Sequence, residues 1–188
     1  IQTAEGGPNN ELYAENYGNW TNTEATSSAS GLEGDLPSRI LSAQDGTLEG
    51  EAVFGAQIEV EGTYYVDITW PGNANAAGAL ATITSPDGEQ TLLVDFQPQT
   101  VVGSRANNWV RLADVALSPG DEVRVTITAD NAEAPVDPAA EFALSLSGAR
   151  LTTDLMDAMP PGVEMEMTGE EGAAPFEGEA PEVETGEE

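Results

Sequence analysis

The side chains in this chain that could do chemistry are almost all carboxylates. Thirty-four Asp and Glu stand against five basic residues, every one an Arg, and Lys, His and Cys are absent. Without His or Cys there is no Ser–His or Cys–His nucleophile pair and no ordinary zinc, haem or iron–sulfur site. Without Lys there is no Schiff base, no P-loop and no Lys–Asn cross-link, and without Cys there are no disulfides. Two chemistries remain: paired carboxylates, as in glycoside hydrolysis, and oxygen ligation of calcium. Asp87, Glu89, Asp121 and Asp130 are calcium candidates by residue type alone, because no D-x-D-x-D-G loop occurs. No catalytic residue can be named. The expectation is a non-enzymatic protein with no cofactor, calcium being the one ion its donors admit.

Aromatic residues offer the other kind of site. Trp20, Trp70 and Tyr65 are candidates for stacking on a sugar ring, since each adjoins a bend or lies on a strand surface. A Trp buried in a sandwich core is the commoner outcome for Trp20 and Trp70. Asn19 opens the sequon Asn19-Trp20-Thr21, and "TNTEATSSAS" is dense enough in Ser and Thr for O-glycans.

The formal net charge of −29 argues against nucleic acid and anionic membrane surfaces as partners. No run of about 20 apolar residues is present, so no membrane-spanning helix is expected. The first residue is Ile1, not Met, and the economical expectation is a processed, secreted chain.

The elements that must position these groups read as strands. Residues 1–12 are polar and Gly/Pro/Asn-rich, and read as an extended N-terminal arm. From Glu51, "EAVFGAQIEV" alternates, placing Ala52, Phe54, Ala56, Ile58 and Val60 on one face. "GTYYVDITWPG" puts Tyr64, Val66, Ile68 and Trp70 on one side and Tyr65, Asp67 and Thr69 on the other. "ALATIT" and "TLLVDF" flank the hairpin signal Ser85-Pro86-Asp87-Gly88. "NNWVRLADVAL" runs to a second turn at Ser118-Pro119-Gly120-Asp121. "EVRVTIT" then points Val123, Val125 and Ile127 inward, and "EFALSLSGARL" closes the block. Beyond Arg150, "LTTDLMDAMPPG" could form one or two helical turns capped by Thr152 or Thr153. Residues 151–188 carry twelve acids and no base. Within them Val163, Met165 and Met167 of "VEMEM" would share one face of an extended strand.

The pattern predicts an all-β fold: an antiparallel, jelly-roll-like β-sandwich of about eight strands over residues 13–150. An arm precedes it at residues 1–12 and an acidic tail follows at residues 151–188.

The middle of the chain resembles the golvesin C-terminal and xanthan-lyase carbohydrate-binding-like domain family. The carrying residues are Gly62, Tyr64, Val66, Trp70, Pro71, Asp87, Gly88, Val94, Asp95, Trp109, Leu112, Gly120, Val123 and Val125. "ENYGNWT" with Trp20 resembles the family's opening strand. The sequence departs from the pattern at Phe96, inserted between Asp95 and Gln97, and at Ser85, where His is frequent. The resemblance implies a sandwich in a non-catalytic, extracellular accessory role.

Two functions follow. The leading expectation is a structural subunit of an extracellular filament, a cell-surface appendage built as a head-to-tail homopolymer. Folding on its own, the acidic tail could not bury enough apolar surface to offset its ordering entropy, so an ordered tail would need a neighbour. Strand donation by Val163, Met165 and Met167, or by the arm from Ile1, would supply one. The alternative is a secreted carbohydrate-binding or adhesion module whose partner is a polysaccharide.

Overall fold

In a computed structural model the protein is described over residues 1–33, 36–73, 76, 78–97, 104–130, 132, 142–154 and 158–159. Among these residues the only helical piece is a 3-10 turn at Asn10–Leu12. Eleven strands follow one another: β1 Tyr13–Tyr17, β2 Trp20–Thr23, β3 Ser38–Ser42, β4 Glu51–Gln57, β5 Gly62–Thr69, β6 Ala79–Ser85, β7 Gly88–Val94, β8 Val110–Leu117, β9 Glu122–Thr128, β10 Ala143–Leu146 and β11 Gly148–Thr152. They form one five-stranded sheet, β1-β4-β9-β6-β7, and two three-stranded sheets, β10-β3-β2 and β11-β5-β8. Every strand pair is antiparallel. Only Ser147 separates β10 from β11, so the two smaller sheets are joined through a nearly continuous strand.

The core lies between the layers because alternation sends one face of each strand inward. Ala52 and Phe54 of β4, Val123, Val125 and Ile127 of β9, and Ala79, Ala81 and Ile83 of β6 pack in one cluster. Val66 and Ile68 of β5, Leu112 and Val115 of β8, and Leu144 and Leu146 of β10 join them. Burying each large aliphatic side chain stabilises the fold by about 1.5–3 kcal/mol. Thr126 and Thr128 point the other way on β9, as the period of two requires.

Both turn signals are realised. β6 and β7 meet with Ser85 opposite Gly88. At the second turn Gly120 has φ +94°, which suits Gly after Pro119. The Asp121 carboxylate accepts from the Ser118 amide at 2.8 Å.

Several expectations need correction. Val60 is 65% exposed, because β4 stops at Gln57 and the alternation does not carry on. The segment after Arg150 continues as β11 to Thr152, where pairing with Tyr65 holds it extended in place of a helical turn capped by Thr152. Met159 then makes a parallel bridge to Val110 at the edge of β8. The N-terminal segment folds back on its own domain. Gln2 bridges Gly148, the Ile1 ammonium donates to the Ala149 carbonyl at 3.0 Å, and Thr3 N–H donates to Ser147 O. Strand β3 had no strand signal, since "SRILS" is short and buries only Ser38 and Leu41. Val163, Met165 and Met167 lie outside the described residues.

Candidate functional site

Two places bring polar and aromatic side chains together. The first centres on Asp67, whose carboxylate is fully buried. Arg150 donates from Nε to its Oδ2 at 2.7 Å, and Arg111 donates from Nε to its Oδ1. A shift in register sets this up. Val66 pairs with Ala113 but Asp67 pairs with Arg111, so Leu112 has no opposite number. Without that bulge Asp67 would face Leu112; with it, an Arg stands on each flank of the carboxylate. Arg111 lies over the Tyr65 ring at 4.3 Å, and Arg150 over the Trp109 ring at 4.5 Å. The Trp109 indole N–H donates to the Ser30 carbonyl at 2.8 Å, so the loop before β3 closes over this end of the sheet. One carboxylate shared by two guanidiniums is held in a fixed geometry by charge-assisted hydrogen bonds. This is a clamp across β11, β5 and β8, with its rings already occupied by cations.

The second place is a groove of about 450 Å³ lined by Tyr17, Gly18, Asn19, Leu41, Ser42, Gln44, Asp45, Thr47 and Glu49. Three local features shape it. A bulge in β1 comes first: Glu15 pairs with Ala52, but Tyr17 pairs with Glu51. Strict alternation would put Tyr17 on the face of Tyr13 and Glu15. The extra residue, Asn16, turns it to the solvent side, and Tyr17 is 43% exposed. Gly18 is next, with φ +102°, where an added Cβ would lie 2.8 Å from Gly50 Cα and 2.9 Å from Glu49 O. Only glycine lets these two backbones touch. The third is a tight hairpin in which Gln44 and Thr47 exchange backbone hydrogen bonds at 2.8 and 2.9 Å. Asp45 and Gly46 have φ +53° and +80°, the backbone of a two-residue I′ connection.

The Tyr17 phenol donates to Asp130 Oδ2 at 2.7 Å, and Asp130 Oδ1 accepts from Gly50 N–H at 3.0 Å. That hydrogen bond is the main reason the phenol is pushed up to about 12; burial and the charges of Asp130, Glu51 and Glu49 add to it. The Trp20 indole N–H donates to the Tyr17 carbonyl at 3.0 Å, fixing the backbone behind the ring. Around the groove, Asn19, Gln44, Asp45, Thr47 and Glu49 are all exposed.

The other candidates fall as follows. Trp70 is fully buried and packs against Phe96 with centroids 4.5 Å apart; Trp20 is 7% exposed. Neither presents a ring to solvent, which corrects the stacking role considered for them. Tyr65 is half-buried beneath Arg111. Phe96, the inserted residue, is a core residue. Asn19 is exposed at the turn into β2. Asp87 and Glu89 sit at the β6–β7 hairpin, Asp121 at the β8–β9 turn, and Asp130 beneath Tyr17. No group of three or more acidic side chains that could hold a metal ion occurs among the described residues.

Tyr17 is the residue that sequence reading missed. Of the aromatic side chains described, it is the one classed as exposed. "YGNW" carried Gly18 as a hint of a bend, but no pattern marks a bulge at Asn16.

Residues 9–138 match the Golvesin C-terminal domain. The chain belongs to that family. The Golvesin C-terminal domain is a non-catalytic domain type, and its span here runs from just before β1 to just before β10. The fold is similar to part of Paenibacillus xanthan lyase, with a TM-score of 0.61 and 17% identity. The similarity covers 82% of this chain and 13% of the lyase chain, a likeness of fold over a small part of that enzyme's length. No curated protein matches the chain. The Tyr17 groove and the Asp67 clamp both lie on this Golvesin-type sandwich.

Proposed function

We propose that the chain is a secreted, non-catalytic carbohydrate-binding module that holds a polysaccharide in the Tyr17 groove. The observation that carries this is Tyr17 itself, the open aromatic ring, set over a groove rimmed by amides, hydroxyls and carboxylates. A pyranose has an apolar C–H face that packs on an aromatic ring and an equatorial edge of hydroxyls that needs hydrogen-bonding partners. Asn19, Gln44, Ser42 and Thr47 offer both donors and acceptors, and Asp45 and Glu49 offer acceptors. The family and the fold likeness to part of xanthan lyase support an accessory module of this kind over the filament subunit. The filament reading leans on Val163, Met165 and Met167, and the other donor considered, Ile1, is paired with its own β11.

Affinity electrophoresis through gels loaded with single polysaccharides tests the reading. The protein should be retarded by at least one polysaccharide, Tyr17→Ala should abolish the retardation, and Tyr17→Phe should keep most of it. Retardation that survives Tyr17→Ala would move the site elsewhere. A glycan on Asn19 would stand on the rim of the same groove, which peptide mass mapping of secreted protein would reveal.

A further inference from the structure

We infer that the Tyr17 groove selects uncharged sugar chains and rejects those bearing carboxylate or sulfate groups. This rests on the module reading above and goes further by naming the substrate class.

The charge around the groove has one sign. Asp45 and Glu49 line it. Asp130 holds the Tyr17 hydroxyl, and Glu51, directly across from Tyr17, accepts from the Asn16 amide at 2.6 Å. Among the described residues no Arg lines the groove. The described Arg side chains are engaged elsewhere: Arg39 with Glu15, Arg124 with Glu122, and Arg111 and Arg150 with Asp67. Arg105 lies in the segment before β8. The anionic bias is felt at the ring, since Asp130, Glu51 and Glu49 all favour the neutral phenol.

Recognition of an anionic sugar calls for an Arg fork or a Lys at the site. Here such a sugar would meet carboxylates. Like charges a few ångströms apart in a wet groove oppose binding several-fold each, so the two lining acids together weigh about tenfold against an anionic chain. An uncharged pyranose gains from the same groups, because a carboxylate is a strong acceptor for sugar hydroxyls. The ring supplies stacking, the amides and hydroxyls orientation, and the acids discrimination by repulsion.

Backbone-matched pairs of polysaccharides provide the test: hydroxyethylcellulose against carboxymethylcellulose, guar against carboxymethyl guar, and dextran against dextran sulfate. The full chain is run against each by affinity electrophoresis at low and high salt, as wild type, Tyr17→Ala, and Asp45→Asn/Glu49→Gln. The expected result is that the uncharged member of at least one pair binds about tenfold tighter at low salt, with the gap narrowing at high salt. The gap should also narrow in the Asp45→Asn/Glu49→Gln protein, whose net charge changes by only about 2 of 29 units. An anionic member that binds as tightly as its partner, with loss in Tyr17→Ala, would overturn the selectivity and leave the module standing. A gap unchanged by Asp45→Asn/Glu49→Gln would assign rejection to the whole molecule's charge and overturn the groove as the filter. Failure of every polysaccharide to bind would overturn the module and the selectivity together.

Discussion

Asp67 and Arg150 stand directly opposite each other on β5 and β11, and the guanidinium Nε donates to the buried carboxylate at 2.7 Å. Arg111 approaches the same carboxylate from β8 on the other side. The most buried acid among the described residues is therefore held by two of the chain's five Arg. Each cation in turn lies over an aromatic ring, Arg111 over Tyr65 and Arg150 over Trp109. The arrangement joins three strands at one point and occupies the aromatic rings on that face.

Asp67→Ala should be severely destabilising, because two partly buried guanidiniums lose their shared counter-charge. The expected cost is about 3–5 kcal/mol, read as a fall in the urea midpoint at constant slope. Replacing all three partners by apolar residues of similar size should cost clearly less. Equal losses in the two proteins would show that packing, not charge, matters at this point.

Gly18→Ala should cost about 2 kcal/mol or more, from the positive φ and the clash with the backbone of Glu49 and Gly50. Gly50→Ala meets mainly the tips of Leu41 and should be milder. Thermal unfolding of the two variants gives the comparison. Gly18→Ala should also impair polysaccharide retardation, since the groove wall moves.

Trp70→Ala and Tyr17→Ala should divide stability from binding. Removing the buried indole against Phe96 should cost about 3–5 kcal/mol. Removing the exposed phenol should change stability by less than about 1 kcal/mol while abolishing retardation. Denaturation curves and affinity gels on the same preparations separate the two effects.

Tyr17 gives a pH dependence on the alkaline side. Its folded value lies at about 12, above the ordinary 10.0 of a tyrosine, so the folded state holds this proton more tightly. Its contribution is thus complete below pH 10 and is lost as pH rises from about 10 toward 12. Asp130→Asn should bring the phenol back toward its ordinary value. Absorbance titration of tyrosinate, with Tyr17→Phe to identify the late-titrating ring, reads it directly.

Local pattern alone was enough to specify the sandwich. Alternation in "EVRVTIT" and "GTYYVDITW" places Val123, Val125, Ile127, Val66 and Ile68 in the core, because a period of two leaves the chain one way to bury them. Turn chemistry at Asp87-Gly88 set the β6–β7 hairpin and at Pro119-Gly120 the turn that carries the chain from β8 in one sheet to β9 in another, and the absence of Lys, His and Cys excluded whole classes of catalysis. Tertiary structure decided where alternation stops or slips. β4 ends before Val60, β3 forms only because β2 and β10 flank it, and β11 continues past Arg150 because β5 is there to pair with. Two bulges matter most. One extra residue at Leu112 brings Arg111 to Asp67, and one at Asn16 turns Tyr17 outward, while Trp70 and Trp20 turn in. A bulge is settled by how a strand meets its neighbour across the sheet. That relation between distant residues leaves no periodic trace in either strand alone.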